Sequence, residues 1–217
     1  MTQGRDFAPP HPVQFRGSRI ARGLLALGGW RVRFEGLPTL QGVLIVYPHT
    51  SNWDFIVMML AKWTLGVQLS FWGKHTLFRI PLFGPWLRWL GGVPVDRSRP
   101  GGMTAAALTA FADAKAQDRY FWLGLSPEGT RKWTPGLRSG FYRTALQADV
   151  PLAVVRLDYG AREVRAVDFM RLSGDAEADL ARLALLYQGV SGYRAGQAAP
   201  LTFVDKPAGG RGEKPAP

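Results

Sequence analysis

Tyr47-Pro48-His49-Thr50-Ser51-Asn52-Trp53-Asp54 joins two apolar runs, Val43 to Val46 before it and Phe55 to Leu60 after it. The first run is short and apolar throughout, as in a strand covered on both faces, and the second is long enough to begin a helix. The octapeptide therefore reads as a strand-to-helix turn. It carries a histidine and a carboxylate five positions apart, with Asp54 in the first helical turn, where it can fold back towards the His49 ring. A carboxylate bonded to one imidazole nitrogen fixes the tautomer and raises the basicity of the other, which makes a general base able to deprotonate an alcohol. Alone, the pair is also what chance places in a chain of this size, so its weight depends on what surrounds it.

Outward from this turn the pattern repeats. Apolar strands are predicted over 67–72, 92–95, 119–125 and 151–157, and helices over 18–30, 54–65, 103–117, 139–148 and 174–188. Lys74 to Leu90 reads as two short helical pieces broken at Pro81 and Pro85. Apolar strands alternating with helices imply an α/β fold, a mostly parallel central sheet flanked by helices. In such sheets ligands bind beyond the carboxyl ends of the strands. Three polar segments arrive at that edge. His49 follows the first strand, Arg97 follows Val93 to Val95, and Glu128 follows the strand ending at Leu125.

Arg97, in Gly91-Gly92-Val93-Pro94-Val95-Asp96-Arg97, offers a planar fork of donors suited to a phosphate, or is a surface arginine beside Asp96. In Ser126-Pro127-Glu128-Gly129-Thr130-Arg131-Lys132, Glu128 is placed to orient a substrate hydroxyl or hold Arg97. Gly129 and Thr130 offer backbone or hydroxyl donors, and Arg131 and Lys132 add positive charge; the plain alternative is a solvated turn. Val150-Pro151-Leu152 forms a wall of the site without chemistry of its own.

The 217 residues suit one domain, expected over 18–204, with a poorly ordered segment 1–17 before it and a disordered Pro/Gly/Lys-rich tail 205–217 after it. There is no cysteine, which excludes a thiol nucleophile and cysteine-ligated metal. With His11 and His75 in poor ligand contexts, a metal hydrolase built on His49, Asp54 and Glu128 is disfavoured, and no metal is expected. The 27 basic and 16 acidic residues leave a net charge of +11, which favours polyanions. The cations stand singly among aromatic and aliphatic residues, as in Trp86-Leu87-Arg88-Trp89-Leu90, which suits a bilayer interface better than nucleic acid. Met1 to Pro10 lacks the apolar core of a secretory signal, and no run is long enough to span a bilayer. The expectation is a peripheral protein of the cytoplasmic face of the cell membrane, with Phe78 to Leu90 and the 18–30 helix as docking candidates.

His49-x4-Asp54, Gly-Gly-Val-Pro-Val-Asp96-Arg97, Pro127-Glu128-Gly129-Thr130-Arg131 and Val150-Pro151-Leu152 together resemble, in order and spacing, the four motifs of the glycerolipid acyltransferases, the 1-acylglycerol-3-phosphate acyltransferase family. The resemblance covers Val43 to Val155. It implies a glycerol-3-phosphate acyltransferase-like single domain that moves a fatty acyl group from acyl-CoA or acyl carrier protein, as co-substrate, to the hydroxyl of a lysophospholipid, without a cofactor. It assigns His49 as base, Asp54 as its orienter, and Arg97 and Glu128-Gly129 as acceptor-binding residues, helped by Arg131. Pro48, Ser126, Lys132 and Val154 depart from the usual pattern, which leaves other head groups open, a lyso-ornithine lipid among them. A catalytically silent lipid-binding protein is the competing reading from another class. Both substrates carry acyl chains, and Phe55 to Trp72 is the candidate lining of the groove they need.

Overall fold

The computed structural model describes residues 6, 7, 9–95 and 102–205. Its centre is one seven-stranded sheet. In chain order the elements are α1 (Arg19–Leu27), β1 (Arg31–Phe34), β2 (Gln41–Tyr47), α2 (Trp53–Leu65), β3 (Ser70–Lys74), α3 (Phe83–Trp89), β4 (Gly92–Val95), α4 (Gly102–Ala116), β5 (Phe121–Leu125), α5 (Gly140–Gln147), β6 (Leu152–Asp158), β7 (Glu163–Met170) and α6 (Ala176–Leu186). The strand order is β1-β7-β6-β2-β5-β3-β4. Every pairing is parallel except β6 with β7. The carboxyl ends of β2, β3, β4, β5 and β6 therefore share one edge.

Alternation along the strands sends side chains into two cores. Val43, Ile45, Leu123, Leu152 and Val154 face one way, onto Phe111 of α4, Phe141 and Tyr142 of α5 and Leu183 of α6. Leu44, Trp122, Ala153, Val155, Val164 and Phe169 face the other, onto Leu25 of α1 and Val57 and Ala61 of α2. A smaller cluster of Phe78, Leu87 and Leu90 packs with Phe55, Met59 and Trp63 at the β3–β4 end.

Several elements differ from the sequence reading, each for a local reason. α1 stops at Leu27 because Gly28 and Gly29 follow, Gly29 at φ 75°. Pro81 does break the 74–90 segment, between a 3-10 turn at His75–Arg79 and α3. Pro85 breaks nothing: it lies in the first turn of α3, where its missing N–H costs no helical bond. Ser139 precedes α5 but makes no side-chain cap; its backbone N–H donates to the Asp205 carboxylate at 2.8 Å. β1 and β7 were not expected at all. β1 is only four residues and half exposed, and β7 mixes Glu163, Arg165 and Asp168 among its apolar residues. In the segment before α1, His11 is buried edge-on against Phe169, and Val13 pairs with Leu37. The expected tail, Asp205 apart, lies outside the described residues.

Candidate active site

The chain leaves β2 at Tyr47 and enters α2 at Trp53, so His49 to Asn52 form a short loop at the shared carboxyl edge. Asp54, in the first turn of α2, folds back under that loop and is fully buried. Its Oδ2 accepts the backbone N–H groups of Thr50 at 2.7 Å and Ser51 at 2.8 Å, and lies 3.0 Å from His49 Nδ1. Its Oδ1 accepts the Tyr159 hydroxyl at 2.8 Å. Burial by itself would raise the Asp54 pKa, but the bonds from His49, Ser51 and Tyr159 outweigh it and hold the carboxyl below the ordinary range. A negative Asp54 accepts a hydrogen bond from the Nδ1–H of His49, so that Nε2 is the ring nitrogen left for other partners. The His49 side chain is 22% exposed, which opens it to a substrate.

Glu128 reaches the same loop from β5. It is buried, and both oxygens are engaged by backbone: Oε2 accepts the His49 N–H at 2.6 Å and Oε1 the Ala199 N–H at 3.2 Å. Burial pushes its pKa up to about 7, against the pull of those two donors. Gly129 continues the turn at φ 68°, the left-handed region that favours glycine, and its N–H donates to Ser126 O at 3.2 Å. The Thr130 hydroxyl accepts the Lys132 N–H at 3.2 Å. Arg131 is exposed, and its guanidinium donates to the Asn52 side-chain oxygen at the start of α2, which brings a cation to the rim beside His49. His49, Asp54, Glu128, Gly129, Thr130 and Arg131 thus share one edge. Arg97, two residues past β4, lies outside the described residues.

Two contributors are absent from the motifs. Tyr159 stands just past β6, between the rings of Trp30 at 4.8 Å and Tyr193 at 5.2 Å. Its position one residue beyond a parallel strand was the available signal, since β6 ends at the same edge as β2 and β5. The other is segment 190–199, whose arrival here no local pattern announces. As for a groove, Met58, Ala61, Leu65, Val67 and Leu69 of the 55–72 run line an apolar cavity between α2 and the sheet, with Lys62 buried beside it. The cavity measures ≈ 30 Å³, room for a water or two and not for an acyl chain. Among the described residues no group of His, Asp and Glu is arranged to hold a metal ion.

Fold and sequence together fix the class. The family model described as Acyltransferase matches residues 30–157, more than half of the chain, and the chain belongs to that family. A curated relative, the 1-acyl-sn-glycerol-3-phosphate acyltransferase of Streptococcus pneumoniae (strain ATCC BAA-255 / R6), is 37% identical over 60 residues, 28% of this chain and 22% of that protein. The match thus spans about a fifth of the relative's length. Among solved structures, the 1-acyl-sn-glycerophosphate (LPA) acyltransferase PlsC from Thermotoga maritima is similar in fold, with a TM-score of 0.50 and 18% identity over 78% of this chain and 74% of that one.

Proposed function

We propose that this chain transfers a fatty acyl group from acyl-CoA or acyl carrier protein to the hydroxyl of a lysophospholipid, with 1-acylglycerol-3-phosphate, giving phosphatidic acid, as the leading acceptor. The observation that carries this reading is the partly exposed His49 ring, 3.0 Å from the buried Asp54 carboxylate, at the rim of the parallel strands. Nε2 removes the hydroxyl proton as the oxygen attacks the thioester carbonyl. The tetrahedral adduct then collapses, the C–S bond breaks, and the imidazolium returns the proton to the leaving thiolate. Asp54 stabilises the imidazolium while it lasts. The scheme needs no covalent enzyme intermediate, in keeping with a chain that has neither cysteine nor a Gly-x-Ser-x-Gly elbow. Arg131, at the rim, and Arg97 are the cations assigned to the acceptor's phosphate.

The test is a panel of lysolipids offered with labelled acyl-CoA and acyl carrier protein, with products identified by mass. Phosphatidic acid from 1-acylglycerol-3-phosphate is the expected major product. A product from lyso-ornithine lipid alone would reassign the head group, and none from any pair would favour the silent lipid-binding reading.

The same reading includes peripheral docking on an anionic bilayer. α1 buries Ala21 and Leu25 but turns Ile20 (78% exposed) and Leu27 (86%) outwards beside Arg19 and Arg22. Across α2, exposed Leu82 (88%) and Trp89 (72%) continue an aromatic surface in which the rings of Phe83 and Trp86 stand 5.5 Å apart and those of Trp63 and Trp89 6.1 Å apart. Apolar side chains among cations suit a lipid interface. Among the described residues no helix is long and apolar enough to cross a membrane. Co-sedimentation with anionic vesicles is expected, weakening with salt. Replacing Leu27 and Leu82 with Glu should cut it about tenfold or more, since each substitution loses apolar burial and adds a repelled charge. Undiminished binding by the double variant would place the docking surface elsewhere.

A further inference from the structure

We propose that segment 190–199, which lies beyond the family-matched span, is a working part of the active site: it sets the position of His49 through Glu128, and Glu128 is a positioning residue rather than an acceptor-binding one. The proposal rests on the reading of His49 as base. Asp54 orients the imidazole ring, but nothing in that contact fixes where the backbone of His49 sits. Glu128 does so. The residue is only 2% exposed, with one carboxylate oxygen on the His49 N–H and the other on the Ala199 N–H. A lipid hydroxyl that sought this carboxylate would have to displace one of those bonds.

The rest of the segment grips the residues on either side of His49. The Tyr47 hydroxyl donates to Ala199 O at 2.7 Å, and Thr50 Oγ1 accepts the Arg194 N–H at 3.1 Å. Gly192 lies so close that a Cβ there would come within 2.9 Å of Thr50 Oγ1 and 3.1 Å of the Pro48 ring, so any larger residue would push on the loop that carries His49. The segment is in turn anchored to the residue that holds Asp54: the Tyr159 N–H donates to Ser191 O at 2.8 Å, and Tyr193 packs on the Tyr159 ring. Both ends of the His49–Asp54 pair are thus held from the same stretch of chain.

The clamp needs Glu128 as a carboxylate, because both of its partners are donors. The charged and titratable groups facing it are His49 on the loop, Asp54 on α2, Tyr47 on β2 and Tyr187 at the end of α6. With burial holding its pKa at about 7, the clamp is complete above that pH and loosens as pH falls through it.

The experiment compares Glu128→Gln, Ala199→Pro and the double variant with the wild type and with His49→Ala, by steady-state kinetics on acyl-CoA and 1-acylglycerol-3-phosphate. Ala199→Pro removes the N–H and sets a ring methylene in its place, and Ala198 already has the extended backbone (φ −63°, ψ 129°) that a following proline requires. Each single variant should lose kcat about 10- to 100-fold, the scale of a small misplacement of a reacting group, with both KM values within about twofold of wild type. The double variant should be no slower than the slower single, because both changes open one clamp. A raised KM for the lysolipid with kcat unchanged in Glu128→Gln would make Glu128 an acceptor-binding residue and overturn the proposal. So would wild-type kcat in Ala199→Pro, a variant that also carries the test alone if Glu128→Gln does not fold. Failure of the underlying reading has a different signature: His49→Ala itself keeps its turnover.

Discussion

His49→Ala is expected to lower turnover by about 10²- to 10⁴-fold, the usual contribution of a positioned general base, while the protein stays folded. The fold survives because the side chain is partly exposed and its one described partner, Asp54, keeps three other donors. The backbone N–H that meets Glu128 is untouched by the change. Single-turnover acyl transfer alongside a thermal melt measures both halves. Wild-type turnover in a folded variant would remove His49 from the chemistry and leave the site a lipid pocket.

The largest effect on stability is expected at Asp54. Asp54→Ala leaves the N–H groups of Thr50 and Ser51 and the hydroxyl of Tyr159 without an acceptor, in a site where the carboxylate was fully buried. At about 1–3 kcal/mol for each donor left unpaired, the loss should reach about 3 kcal/mol or more, together with the loss of turnover. Asp54→Asn, which keeps the volume and one acceptor oxygen, should fall between Ala and wild type. The sign of the pH dependence follows from the lowered pKa. A carboxyl whose folded pKa is depressed contributes stability that is present above its unfolded value, about 3.9, and is lost as pH falls through the folded one. Wild type should therefore lose an increment of stability below about pH 4 that Asp54→Asn lacks. Denaturant unfolding at neutral and acid pH reads it. Equal stability of Asp54→Ala and wild type at neutral pH would show that the loop does not depend on this carboxylate.

What the sequence revealed of the molecule tracks how local each cause is. β2, β5 and β6 are apolar nearly throughout, so burial on both faces was visible in them. The His49–Asp54 contact was visible because a strand-to-helix turn leaves few places for a carboxylate in the first helical turn to go. β7 was not visible: Asp168 sits within it because Arg165, three residues before it, and Arg156, across the sheet on β6, both reach its carboxylate, and the contact with Arg156 exists only once the two strands are paired. Glu128 was placed at the right edge, but its bonding to backbone N–H groups depends on Ala199, 71 residues away. The role of Tyr159 was hidden for the same reason, since nothing around it names Asp54 as its acceptor. Long-range hydrogen bonds between single residues leave no periodicity to read.

The hairpin of β6 and β7 has one more implication. Residues 30–157 match the family, yet β6 is flanked by β7, and Tyr187 donates its hydroxyl to β6 at Val155 O and to β2 at Ile45 O. The span matched by the family and the span that completes the sheet therefore have different borders. A fragment cut at residue 157 would bare the hydrogen-bonding edge of β6, and an edge of that kind invites strand exchange between copies.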